Sequence, residues 1–384
     1  VLFRSLSLMT DAYGDIPYNE AGKGDVSGLE FPHYQEQKEV YRLMLADLET
    51  ANQLLKSLKA DATISDDILF NGDAVKWRKY ANSLKVRILM RQSAKKDVSA
   101  DIAAIFNNAQ EYPVFTSIDD QATLVYNNTV DFYKWYIQPK NLPSDGSGVI
   151  FGDNFRVSEA IVDALQTKDD PRLPVYVAPT KHSFEAHRAN ASVPFVYRGQ
   201  PAGLSAAEQN EIDKDDYSVL SSTIRSESRA FVMTFAELQF LKAEAIIRGM
   251  ITGNAADEYA KGIRASMQKW AAISSDDVDV YLARPDVALN TAQNEALKQI
   301  GTQAWIDSFL NGFEAFANWR RTGYPELKVG TSVSSAIPVR YIYSDNEQNN
   351  PNLISWTNEK IGRMVNETDM VWFQPQKWNT NVNR

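Results

Sequence analysis

The 384-residue chain contains no cysteine. That removes disulfide frameworks, thiolate metal sites and cysteine nucleophiles together. Histidine is nearly as scarce, at three residues. No run of about 18 apolar residues occurs, so no segment reads as a membrane-spanning helix. An excess of positive charge is also missing. Asp plus Glu outnumber Lys plus Arg 49 to 40, and the net charge of −9 argues against a nucleic-acid partner, because neutralising phosphates takes clustered basic side chains. The sharp catalytic fingerprints (G-x-S-x-G, H-E-x-x-H, the phosphate loop, the dinucleotide turn) are absent. Gly22-Lys23-Gly24 lacks the strand before and the helix after that a phosphate cradle needs. An initiator Met, a basic leader and a signal core are missing too, and Val1 to Met9 reads as the later part of a helix. A preceding segment is therefore expected, and any export signal or lipid anchor would lie on it.

What is present points to helices. The chain is 44% hydrophobic and 11% aromatic, enough for a large core in one large helical domain or two ordinary ones. Asp73 is placed as an N-cap, and Trp77, Ala81, Leu84 and Ile88 follow on one helical face. Arg78, Lys79, Lys85, Arg87 and Arg91 flank that face, where their stems are expected to cover apolar surface while their heads stay in water. Tyr41, Leu45, Leu48 and Leu55 give a preceding helix over 37–57, and a third amphipathic stretch covers 98–109. Periodicity then fades through prolines and glycines to a short helix capped by Ser158, stopped by Pro171. Residues 176–225 read as irregular, with short strands at 175–177 and 194–197. Helix returns over 230–248, with Gly249 just past its end. Ala256, Tyr259, Ile263, Met267 and Trp270 form the next stripe, and one long helix is expected from 292 to 321, ended by Gly323 and Pro325. The tail from 328 reads as a strap packed by Trp356, Trp372 and Trp378. Successive helix pairs suggest stacked helix-turn-helix units, although the regular 34-residue consensus is not met.

Candidates for chemistry are few. Glu237 and Glu244 fall on one helical face, as the paired carboxylates of a glycosidase would; ion pairs to the arginine-rich helices explain them more cheaply, and Arg320 and Arg321 are the natural partners. His182, Glu185 and His187 have a spacing that suits neither one helical face nor the i, i+4 zinc pair, so no metal site and no cofactor are expected. The acidic clusters at 66–67, 213–216 and 276–279 lack the calcium-loop pattern and read as solvated faces and helix starts. Aromatic density in the irregular middle stands out. Tyr126, Phe132, Tyr133, Trp135 and Tyr136 are followed by Tyr176, Phe184, Phe195 and Tyr197. Rings on loops stack on pyranose faces or grip peptide side chains, and equally anchor loops to a core. Of these, Tyr133, Trp135, Tyr136, Tyr176, Phe195 and Tyr197 are taken as the ligand-contacting set, with no catalytic residue.

Six motifs occur in order: Asp15-Ile16-Pro17-Tyr18; Trp77 to Arg91 with its Ala-Asn-Ser-Leu-Lys-Val-Arg centre; Asp170-Pro171-Arg172-Leu173; Glu237 to Gly249; Arg320-Arg321-Thr322-Gly323-Tyr324-Pro325; and Pro338 and Arg340 followed by Glu347 and Asn350. Together they resemble the SusD/RagB-like family, in its SusD-like branch. The resemblance implies a mostly α fold, a right-handed scaffold of tetratricopeptide-like helix pairs with a loop-rich insert and an irregular C-terminal strap. It implies one domain over 1–384, with scaffold at about 1–110 and 230–325, insert at about 111–229 and strap from 326. It further implies a lipid-anchored protein on the extracellular face of the outer membrane, which binds an oligosaccharide, or in some members a peptide, and caps a SusC-like TonB-dependent transporter without catalysis. The lipidated Cys of that family is not in this sequence, and its Trp-Trp-Asp-like ending is altered to Trp372-Phe373-Gln374.

Overall fold

A computed structural model describes residues 2–59, 62–126, 155–270, 272–332 and 336–376. Nearly all regular structure in it is helical. The main helices are α1 (Leu2–Tyr13), α2 (Gln37–Ser57), α3 (Ala74–Gln92), α4 (Ser99–Asn107), α5 (Glu159–Gln166), α6 (Lys181–Ala189), α7 (Phe235–Ile247), α8 (Ala255–Gln268), α9 (Ser275–Leu282), α10 (Gln293–Asp307), α11 (Gly312–Thr322) and α12 (Pro351–Ile361). They pack as pairs, α2 on α3, α7 on α8 and α10 on α11, and α7 also contacts α3 and α10, which joins the pairs into one scaffold. The tetratricopeptide-like pairing expected from sequence is thus present. Gly262 of α8 makes the tightest of these pairings possible: a Cβ there would lie 2.6 Å from the Phe240 ring of α7.

Local signals set the helix ends. Asp73 accepts hydrogen bonds from the Val75 and Lys76 N–H groups, as its N-cap placement predicts. Gly249 and Gly323 follow α7 and α11 with φ of +72° and +80°, the left-handed turn that lets a helix stop. The Asp15-Ile16-Pro17-Tyr18 motif is a clasp. One Asp15 oxygen accepts the Gln37 N–H that opens α2, at 2.8 Å. The other accepts Trp356 Nε1 of α12, at 2.8 Å, which ties the strap to both ends of the α1–α2 turn.

Several expectations are corrected. Residues 229–233 are not the start of a helix but strand β2 (Arg229–Met233), paired antiparallel with β1 (Ala122–Val125), with Thr123 opposite Phe231. Thr234 then caps α7 through the Glu237 N–H at 3.0 Å, the Thr-x-x-Glu start signal that places the boundary. The single long helix over 292–321 is broken into α10 and α11, because Leu310 takes φ of +69° and reverses the chain. Residues 173–176 form a helical turn rather than a strand, with Pro174 in its first turn, where no N–H is needed. The 194–197 stretch runs without regular structure. The strap, read as irregular, contains α12, capped by Asn350 with Pro351 opening it. Arg87 and Arg91 do not keep their heads in water. Both are buried, at 5% and 2% exposure, because the face that amphipathic reasoning leaves to solvent is covered: Arg87 meets Glu237 of α7, and Arg91 meets Glu314 of α11 and Asp11 of α1.

Candidate functional site

Helix α5 begins after Ser158 and is set against α10. Their contact is a core of its own, built from Val157, Ile161, Leu165, Tyr176, Trp270 and Ile306. Beside that core the chain leaves a cleft of about 1010 Å³. One wall is α5 with the loop Pro201–Leu204, the floor is α10 with Trp305, and the far wall is the strap after Pro325. The two walls are stitched together at one end. Gly330 lies so close to the 202–203 backbone that a Cβ would stand 2.4 Å from the Ala202 carbonyl oxygen, which demands glycine. Next to it the Ser332 N–H donates to the Gly203 carbonyl at 2.9 Å.

The floor is fixed from beneath by the Asp170-Pro171-Arg172 motif. Arg172 is fully buried and forms a bidentate pair with Asp170, its Nη2 lying 2.6 Å from Oδ2. The same guanidinium donates to Gln303 Oε1 at 2.6 Å and to Ser266 Oγ at 3.0 Å. Burial alone would raise the Asp170 carboxyl, but the adjacent guanidinium outweighs it and holds the group below the ordinary carboxylate range. The lining is predominantly apolar, and its rim is charged. Lys328 reaches across the mouth to Glu159 at 3.2 Å and Asp163 at 3.9 Å, Lys168 pairs with Asp286 at 3.3 Å and Lys298 with Glu326 at 3.1 Å.

Three members of the ligand-contacting set read from sequence, Tyr176, Phe195 and Tyr197, lie among the described residues. Tyr176 is a core residue: fully buried, it stacks on Phe309 at 4.4 Å and meets Trp270 edge-on at 5.5 Å, so its ring has no face left for a ligand. Tyr197 is half-buried against the same core cluster, and burial pushes its hydroxyl pKa upward. Phe195 is exposed at 41% and packs with Phe184 at 6.4 Å and His187 at 4.1 Å. Tyr133, Trp135 and Tyr136 lie outside the described residues. Trp305, the indole that lines the cleft, sits inside α10, where an aromatic in sequence reads as core.

Glu237 and Glu244 do share a face of α7, and both are consumed. Arg87 donates from Nε and Nη2 to the two Glu237 oxygens, each at 2.5 Å. Arg321 donates to both Glu244 oxygens at 2.6 and 2.7 Å, and Arg248 adds a bond at 2.8 Å. Burial works to raise the Glu244 carboxyl, yet the Arg321 and Arg248 guanidiniums bring it down to about 2. Arg321 is therefore the ion-pair partner that sequence reasoning assigned. Arg320 plays a different part, donating to the Val339 carbonyl at 3.1 Å and lying over the Phe316 ring at 4.0 Å. His182 pairs with Asp213 at 2.9 Å, whereas His187 turns its Nδ1 to the Val193 carbonyl, so the two imidazoles serve separate contacts.

The chain belongs to the SusD-like family, whose model, described as starch-binding and associating with outer membrane, matches residues 3–344. Among solved structures it is similar to a protein of Bacteroides vulgatus ATCC 8482 assigned to the outer membrane and to nutrient binding, at 26% identity and TM-score 0.82, over 97% of this chain and 83% of that one. A SusD homologue of Bacteroides fragilis NCTC 9343 aligns at 25% identity and TM-score 0.78, over 98% and 82% of the two chains. A chitin-binding protein aligns at 29% identity and TM-score 0.77, over 97% and 78%. Comparison with curated proteins returned no match.

Proposed function

We propose that this protein binds oligosaccharide nutrients at the outer face of the outer membrane and passes them to a SusC-like TonB-dependent transporter, held there by a lipid anchor and carrying out no chemistry on the glycan. The observation that carries this reading is the family match over residues 3–344, with its starch-binding description. The geometry is in keeping with it. A cleft of about 1010 Å³ floored by an indole and rimmed by hydrogen-bonding groups has the form of a sugar site, since an indole face stacks on a pyranose and the rim selects its hydroxyls. The insert rings Tyr133, Trp135, Tyr136, Phe195 and Tyr197 remain the proposed stacking platforms. The hydrolase alternative loses its residues, because Glu237 and Glu244 are both buried in arginine pairs. Calorimetry against a glycan panel, with reducing ends monitored in the same samples, tests the reading. Saturable binding without new reducing ends is the expected result, and steady release of product would replace the carrier by an enzyme. Replacing Tyr133, Trp135, Tyr136 and Tyr197 together by Ala is expected to weaken that binding; unchanged affinity would remove these rings from the site.

A further inference from the structure

The chemistry of the cleft narrows the class of sugar, given the glycan-binding reading above. Its walls are built from small and aliphatic side chains: Ala160 and Ala164 on α5, Leu204 in the insert loop, Val287, and Val329 and Ile337 on the strap. The two glutamines of the α10 side are already engaged. Gln303 is held by Arg172 and donates toward Tyr281 at 3.4 Å. Gln299 donates to the Ala288 carbonyl at 3.0 Å and accepts the Asn290 N–H at 2.7 Å. A sugar with a hydroxyl where another carries an acetamido group would press that hydroxyl against aliphatic wall with no partner, and each unpartnered one weakens binding. A sugar that replaces a hydroxyl with an acetamido group presents a methyl to such a wall and keeps an N–H donor.

The charge pattern selects in the same direction. Five carboxylates line the cleft (Glu159, Asp163, Asp286, Glu295 and Glu326) against the three ammonium groups of Lys168, Lys298 and Lys328. The whole chain carries a net charge of −9. Uronate or sulfated glycans therefore meet like charge at the mouth, whereas neutral sugars with N–H and O–H donors meet acceptors. The volume lies at the top of the range of roughly 300–1,000 Å³ that takes a drug-sized ligand, which suits a short oligosaccharide rather than a single sugar. We propose that the cleft between α5, α10 and the strap is a binding site for neutral oligosaccharides of N-acetylated hexosamine, with Trp305 as the stacking floor and the aliphatic walls receiving the acetamido methyl groups.

The test is calorimetry on the full chain with four probes of equal length: an N-acetylglucosamine oligomer, the cello-oligomer that shares its linkage but lacks the acetamido groups, a malto-oligomer and an oligogalacturonate. The expected result is that the acetamido oligomer binds at least tenfold tighter than the cello-oligomer and that the uronate gives no heat of binding. Equal or tighter binding of the cello- or malto-oligomer, or binding of the uronate, overturns this inference and leaves the glycan-binding reading standing; heat from none of the probes overturns both. Ala160→Trp on one wall and the exposed Ala202→Trp on the other each plug the cleft. Either variant that keeps the wild-type melting midpoint is expected to lose at least tenfold in affinity for the acetamido oligomer, and unchanged affinity in such a variant moves the sugar out of this cleft.

Discussion

The scaffold and the cleft use charge in opposite ways. Between α3, α7 and α11 the ions are buried and interlocked: Arg87 holds Glu237, Glu314 lies 3.6 Å from Arg87 and 2.6 Å from Arg91, and Arg91 also meets Asp11 at 3.3 Å. Around the cleft mouth carboxylates pair instead with lysines near solvent, with Lys328 at 76% side-chain exposure and its partners Glu159 and Asp163 at 35% and 55%. A buried guanidinium without its carboxylate is costly, so the first set fixes which helices may neighbour one another. An exposed ammonium without its partner is simply hydrated, so the second set is free to exchange a protein partner for a ligand. Two of the six motifs, Trp77 to Arg91 and Glu237 to Gly249, supply Arg87, Arg91 and Glu237 to the first set.

The largest effect is expected from breaking the lock on one side. Glu237→Leu leaves Arg87 buried beside one distant carboxylate, and the loss should be about 3–5 kcal/mol in urea unfolding. Arg87→Met combined with Glu237→Leu is expected to recover most of it; a double variant as unstable as the single one would show that packing, not charge, is what the pair supplies. Trp77→Ala comes next. Its ring meets Phe70 edge-on at 5.2 Å and its Nε1 donates to Asp67 at 2.9 Å, so truncation opens a cavity worth about 3 kcal/mol, the lower end for a tryptophan because the ring is only partly buried. A melting midpoint equal to wild type would contradict this.

Acid sharpens the comparison further. Glu244 is held at about 2 in the fold and returns to the ordinary value of 4.5 when unfolded, so its contribution is complete above pH 4.5 and is lost as the pH falls through 4.5 toward 2. Urea midpoints measured across that window should fall, and Glu244→Gln should flatten the slope. The smallest effect belongs to the mouth. Lys328→Met is expected to leave the melting midpoint where it is while changing the salt dependence of sugar binding, and a clear drop in midpoint would mean that the strap relies on this bridge for stability.

Much of the scaffold was legible in the residues. The stripe of Tyr41, Leu45, Leu48 and Leu55 marks α2, which spans Gln37–Ser57, and Asp73 caps α3 as expected. The site was far less so. A loop aromatic either stacks on a sugar or anchors its loop, and sequence does not distinguish the two: Tyr176 lies under Phe309 and Trp270, and the indole lining the cleft is on α10. The break at Leu310 is not legible in sequence because the apolar periodicity carries on through it, the reversal resting on one residue's backbone angle.

The sequence by itself determined helices α2, α3 and α8, the Asp73 cap, the glycine stops after α7 and α11 and the family, since periodicity, N-cap oxygens and left-handed glycines act over a few residues and need no partner elsewhere. Tertiary structure decided which arginine meets which carboxylate, with Arg87 and Glu237 150 positions apart, and it decided that α5, α10 and the strap enclose one cleft. Those choices depend on where the chain returns to itself. Burial is what makes them matter, because a charge or a ring acquires its role only when other residues take the water away from it.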